Sequence, residues 1–204
     1  MTDESPCRPV GERVLSDEWG RLTQHDFDLK RRGGDWQRQR REVYDRGNGA
    51  TCLLYDPETD CVLLTRQFRL PAYLNGGESA LIETPAGLLE GAEALTRMRL
   101  ELIEETGYHI DRLEHVFDAY MSPGSVTEII SHFVGVYSRA DKASEGGGNR
   151  DEGEDIEVLH VPFDQALKMI GSGEIRDAKT ILLLQYVALN GPPSADAYED
   201  STAD

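Results

Sequence analysis

The chain has 204 residues, 21 Lys plus Arg against 38 Asp plus Glu, a formal charge of -17 and 39% hydrophobic residues, which suits one folded domain of ordinary size. An acidic surface of this kind repels phosphate polymers, so nucleic acid is an unfavourable partner unless a basic face is strongly segregated. The start, MTDESPCRPV, has neither a basic nor an apolar signal region, and the longest oily stretch, residues 181–189, contains Gln185 and is too short to span a bilayer; a cytoplasmic protein without membrane contact is expected.

Residues 1–47 are polar and locally basic: 30–46 hold seven Lys or Arg against the acids Asp35, Glu42 and Asp45. Such a run suits either a hairpin edge that resists strand-to-strand association or a set of cationic forks for phosphate oxygens. Alternating apolar runs then predict strands over 50–55, 61–68, 81–83, 116–120 and 129–137, punctuated by Pro57, Gly76-Gly77 and Pro123-Gly124. Helical spacing is read over 93–106, 163–170 and 179–189, the first closed by Gly107 as a left-handed cap. The glycine-rich, acidic stretch 143–154 reads as a flexible loop long enough for a lid, and the Pro/Ser/Asp-rich tail, 191–204, as disordered. Cys7, Cys52 and Cys61 are too scattered for a disulfide framework or a zinc site and read as reduced packing thiols. Strands with one embedded helix and helices at the end predict an α+β class, a mixed α/β/α sandwich.

The helix over 93–106 is the most informative segment. Glu101, Glu104 and Glu105 fall at i, i+3 and i+4, so an α-helix projects them from one face, where each like-charge pair costs about 0.2–0.5 kcal/mol. A hard divalent cation would offset that repulsion and keep positions open for water and phosphates. A solvated acidic face is the alternative, and the spacing alone does not choose between them. Nucleophilic catalysis is disfavoured: no serine sits in an elbow pattern and the five histidines show no ligand spacing. Gly146-Gly147-Gly148 is followed by Asn and Arg, so it is no phosphate loop.

Around these acids runs Gly87, five residues, Glu93, seven residues, then Glu101-Leu-Ile-Glu104-Glu105-Thr-Gly107-Tyr108. This resembles the Nudix hydrolase signature with one residue missing: the signature arginine has no place, and the nearest are Arg97 and Arg99. Stretches outside the box are similar to the GDP-mannose pyrophosphatase branch of that family. They are Arg41-Glu-Val-Tyr-Asp-Arg-Gly-Asn-Gly-Ala50, Arg66-Gln-Phe-Arg69, Tyr120-Met-Ser-Pro-Gly124, Glu154-Asp-Ile-Glu-Val-Leu159 and Gly173-Glu-Ile-Arg-Asp-Ala-Lys-Thr180.

The resemblance implies a Nudix-type fold over 48–190 behind an N-terminal β arm, 1–47, exchanged in a homodimer. It implies Mg2+-dependent hydrolysis of a nucleoside diphosphate sugar, GDP-mannose to GMP and mannose 1-phosphate; whether Mn2+ can replace Mg2+ is left open by the sequence. An ADP-ribose diphosphatase and a non-catalytic nucleotide-sugar-binding module are the other readings. By position, Glu101, Glu105, Glu154 and the Ala86 carbonyl would hold the metal, with Glu104 an auxiliary ligand or polariser. Arg40, Arg41 and Glu42 would line the substrate pocket, Arg69 would meet the diphosphate, and Ala86, Gly87, Leu88, Gly153 and Lys179 would also contact substrate. Trp19 would stack on guanine from the partner subunit. Glu128, after a turn and opening a strand, is the candidate for water activation, though Glu104 or Glu105 could serve.

Overall fold

A computed structural model describes residues 5–77 and 80–193, so most of the expected disordered tail lies outside the described residues. The chain divides into two compact units, Met1–Asn48 with Tyr120–Ile129, and Gly49–Ala119 with Ile130–Asp204.

The first unit is an antiparallel three-stranded sheet of β1 (Cys7–Asp17), β2 (Arg21–Lys30) and β3 (Trp36–Asp45), in that order. Its polar sequence hides the strand pattern, because β1 is exposed along its whole length and carries no buried face. Cys7 on that strand is exposed, so it is not the packing thiol the sequence suggested. Tyr44 of β3 bridges Val126 in the 120–129 segment.

The second unit is built on a sheet whose strands run β10 (Glu157–Pro162), β5 (Cys61–Phe68), β4 (Gly49–Asp56), β9 (Ile129–Val136) and β8 (Leu113–Tyr120). The short β6 (Ala80–Glu83) pairs with β5, and β7 (Ala86–Leu88) pairs with β4. The strands expected at 50–55, 61–68, 81–83, 116–120 and 129–137 are all present within a few residues. Helices α1 (Leu70–Leu74), α2 (Ala94–Glu101), α3 (Phe163–Ser172) and α4 (Ala178–Asn190) complete the unit.

Every residue of β4 is buried, as a central strand covered on both faces requires. Leu53, Tyr55, Val62 and Leu64 turn to one face and pack with Ala166 and Met169 of α3 and Leu183, Leu184 and Val187 of α4. The alternate residues Cys52, Leu54 and Leu63 pack on the other face with Met98 of α2, Leu102 and Tyr108. This is the mixed α/β/α sandwich expected from the sequence.

The stretch expected as a lid is hydrogen-bonded along its length. The N–H groups of Ala143 and Ser144 donate to the Gly107 carbonyl, and those of Gly147 and Gly148 donate to the carbonyls of Glu105 and Glu104. Those acceptors are the orphan carbonyls of a helix end, so the glycines serve as its C-terminal bracket.

Candidate functional site

Helix α2 begins on a side-chain cap: the Glu93 carboxylate accepts from the N–H groups of Leu95 (3.0 Å) and Thr96 (2.8 Å). At its far end the α-helix gives way to a π-helical turn over Leu102–Thr106, with the Thr106 hydroxyl donating to the Leu102 carbonyl. Gly107 closes it at φ 81°, the left-handed cap expected. The single-stripe reading is corrected by burial, which divides the three acids, two of them in this wider turn. Glu101 and Glu105 are buried, 7% and 1% exposed, whereas Glu104 is exposed.

Strand β7 brings its backbone against these two acids. The Ala86 N–H donates to Glu105 Oε2 at 3.0 Å. A Cβ at position 87 would lie 2.1 Å from the Glu101 carboxyl carbon, so only glycine lets that carboxylate rest on the strand. Arg97 makes the orienting contact that the shortened box had put in question: its Nη2 lies 2.7 Å from Glu101 Oε1, and its Nε donates to the Leu88 carbonyl at 3.1 Å. Glu154 follows Gly153, which caps the 3-10 turn Arg150–Glu152 at φ 80°, and its Oε2 accepts from the Asn149 N–H at 2.9 Å.

Burial raises the Glu105 carboxyl to about 8, and the charges of Glu101 and Glu154 push the same way against the Ala86 N–H and Arg69. Burial likewise raises Glu101 to about 7, opposed by Arg97 and reinforced by Glu104, Glu154 and Glu152. Among the described residues no three His, Cys, Asp or Glu side chains form a ready coordination set. Glu101 is turned to Arg97 and Glu105 to a backbone N–H instead. The donor chemistry still fits a divalent cation, since oxygen-only acids held at high proton affinity by burial, with their neighbours' charges adding to it, are groups whose charge a cation relieves.

A second polar cluster lies in the same unit and largely escaped the sequence reading. Arg69 donates to Glu83 through Nε (3.1 Å to Oε1) and Nη2 (2.8 Å to Oε2), and Lys179 Nζ lies 3.0 Å from Glu83 Oε2 and 2.9 Å from Asp177 Oδ1. Lys179 is 8% exposed, not the solvated lysine that a helix start would suggest. Burial alone would depress it, but Asp177 and Glu83 outweigh that and hold it above its ordinary value. Burial would raise Glu83, yet Lys179 and Arg69 keep it below the usual carboxylate range. Asp177 caps α4, its carboxylate accepting from the Thr180 N–H at 2.9 Å, and neither it nor Glu83 was named from the sequence as a site residue.

The remaining expected site residues lie in the first unit. Arg40 forms a bidentate pair with Asp26 (2.7 and 3.0 Å), while Arg41 donates to Gln39 Oε1 and to the Arg40 carbonyl. Arg40 and Glu42 share one face of β3 and Arg41 the other, so the three do not line one surface of that strand. Trp19 is 74% exposed, with the Arg46 guanidinium 5.2 Å from its ring centroid. Arg46 Nε in turn lies 3.1 Å from Glu128 Oε1.

A side-chain-capped helix carries a buried acid pair on one face of a mixed sheet. The family described as NUDIX domain matches residues 45–184, and the chain belongs to the Nudix hydrolase family, whose members use divalent metal ions. The family described as GDP-mannose pyrophosphatase NudK N-terminal domain matches residues 7–44. Similar curated proteins named GDP-mannose pyrophosphatase include one from Escherichia coli O1:K1 / APEC, 51% identical over 182 residues, 89% of this chain and 94% of that protein. Another from Citrobacter koseri is 52% identical over 179 residues, 87% and 93% of the two chains. One from Pectobacterium atrosepticum is 50% identical over 188 residues, 92% and 96%. The resemblance read from the sequence therefore holds for the family and for the branch.

Proposed function

We propose that the protein hydrolyses GDP-mannose to GMP and mannose 1-phosphate with Mg2+, as a cytoplasmic homodimer with exchanged N-terminal arms. The observation that carries the reading is the seating of Glu101 and Glu105 against the backbone of Ala86–Leu88, an acid pair whose proton affinity burial has raised. The relatives' shared name, over about nine-tenths of the chain, supports the substrate.

Glu101, Glu105, Glu154 and the Ala86 carbonyl would hold the ion. When bound, it neutralises charge on the diphosphate and acidifies water. Arg69 and Lys179 bind phosphoryl oxygens, and the backbone around Gly87, Leu88 and Gly153 borders the substrate. Trp19 stacks on guanine in the partner subunit's site, and Arg40, Arg41 and Glu42 contribute to the nucleotide or sugar pocket from both faces of β3. Glu128 takes the proton of the attacking water as its oxygen bonds to phosphorus. The bridging P–O bond breaks, and the bridging oxygen leaves on the departing phosphate monoester. Glu104, exposed beside this pair, would be an auxiliary ligand or polariser.

Chromatographic product analysis with GDP-mannose, other GDP-sugars and ADP-ribose, with and without chelator, tests this. GMP and mannose 1-phosphate are expected, and chelator abolishes both. AMP from ADP-ribose at much higher catalytic efficiency would replace the substrate assignment, and tight binding without turnover would favour a sensing module.

The exposed Val10, Val14 and Leu15 of β1 are apolar surface that a second copy would cover. Deleting residues 1–46 is expected to weaken both dimerisation and substrate affinity, read by equilibrium sedimentation and a binding titration. An intact dimer of normal affinity would reject the exchanged arm.

A further inference from the structure

Arg69 and Lys179 are long, flexible side chains from distant parts of the sequence, one capping α1 and one in the first turn of α4. What joins them is Glu83, the last residue of β6. One carboxylate accepts from both the guanidinium fork and the ammonium, with distances of 2.8–3.3 Å to Arg69 and 3.0 Å to Lys179. Glu83 is 2% exposed, and a carboxylate at that depth is tolerated only when fully paired.

The frame around it is equally fixed. The N–H of the next residue, Thr84, donates to Thr180 Oγ1 at 2.7 Å, and the Thr180 hydroxyl donates to Asp177 at 2.6 Å. Asp177 completes the set at Lys179 Nζ, so two cations face two carboxylates and the cluster is neutral. Among the described residues, Arg69 Nη1 and one Lys179 N–H are not used by these bonds. The charge of Glu105 acts on Arg69, so the cluster lies within electrostatic reach of that buried acid.

We propose that Glu83 is a positioning residue for the diphosphate: it locks Arg69 and Lys179 into one preset pair whose free N–H groups meet the two phosphoryl groups. This rests on the reading that Arg69 and Lys179 contact substrate. Without Glu83 the two cations sample separate rotamers, and the substrate must order them on binding.

The test is steady-state kinetics of Glu83→Gln on GDP-mannose with Mg2+, combined in a cycle with Arg69→Ala. The expected result is a rise in KM of about ten- to a hundredfold with kcat within about threefold of wild type. Arg69→Ala, costly alone, should then add less than about twofold in the Glu83→Gln background. A role in packing alone would leave the two costs multiplicative. If Glu83→Gln does not fold, Lys179→Gln and the Glu83→Gln/Lys179→Gln double variant, which loses the unpaired ammonium, carry the same cycle. An unchanged KM in Glu83→Gln, or multiplicative costs in either background, overturns the positioning role while a raised KM in Arg69→Ala leaves the site intact. An unchanged KM in Arg69→Ala and Lys179→Ala both would instead overturn the substrate-contact reading itself.

Discussion

Glu105→Gln is expected to lower turnover of GDP-mannose by at least about a thousandfold while leaving the folded state as stable as wild type or more so. The loss has the size expected when a group acting on the transition state is removed. The fold survives because the substitution matches what the metal-free site already prefers. At 1% exposure, burial raises this carboxyl to about 8, so near neutrality it is largely uncharged. The Gln oxygen can still accept from the Ala86 N–H that Glu105 Oε2 engages at 3.0 Å. Steady-state assays with thermal melts check both halves. Near-wild-type turnover would remove Glu105 from the chemistry, and a collapsed melting temperature would make its role structural.

The metal-free protein should lose stability as pH rises from 7 to 8.5. Glu105 in the fold is raised to about 8 from an ordinary value of 4.5, so the folded state binds a proton that the unfolded chain has already released. Stability from such a group is fully present below the unfolded value and is lost as pH climbs through the folded one, at about 1.4 kcal/mol per pH unit until about pH 8. Glu101, raised to about 7, acts in the same direction and finishes earlier. His132 and His160 are held below 6.5 by burial, so near pH 7 only the unfolded chain keeps part of their protons, and they oppose the fall by no more than about 0.3 kcal/mol together. The expected fall in melting temperature is a few degrees, in line with about 2–4 °C per kcal/mol at this chain length. Glu105→Gln should flatten it. A wild-type melting temperature that is level or rises over this window, without metal, would contradict the assigned burial.

The sequence disclosed the second unit far better than the first. The runs that became β4 and β5 alternate about a buried centre, and each face has its own apolar set, so periodicity finds them. β1 has no buried face, and polar strands of that kind leave no period to read. The acids of α2 were visible as a group, but their division was not: on an α-helix Glu104 and Glu105 already point about 100° apart, and sequence does not say which side meets β7, where Glu101 and Glu105 are buried while Glu104 stays outside. Arg97 was accessible through its i, i+4 relation to Glu101, a contact that spacing rules anticipate once the signature arginine is known to be missing. Glu83 was beyond reach, because its partners lie at positions 69 and 179 and no local pattern marks a strand-end acid as the link between them. Arg40 and Arg41 looked equivalent in sequence; the two-residue period of β3 sends them to opposite faces, one of them already paired with Asp26.

Calorimetric titration of Mg2+ into the metal-free wild type and into Glu105→Gln at pH 7.5 bears most directly on whether the buried acids of α2 hold the cation. Saturable binding is predicted for wild type, with proton uptake by the buffer as Glu105 is deprotonated, and both signals should be absent or much weakened in Glu105→Gln. Equal affinity and equal proton release in the two proteins would put the cation elsewhere and contradict the account.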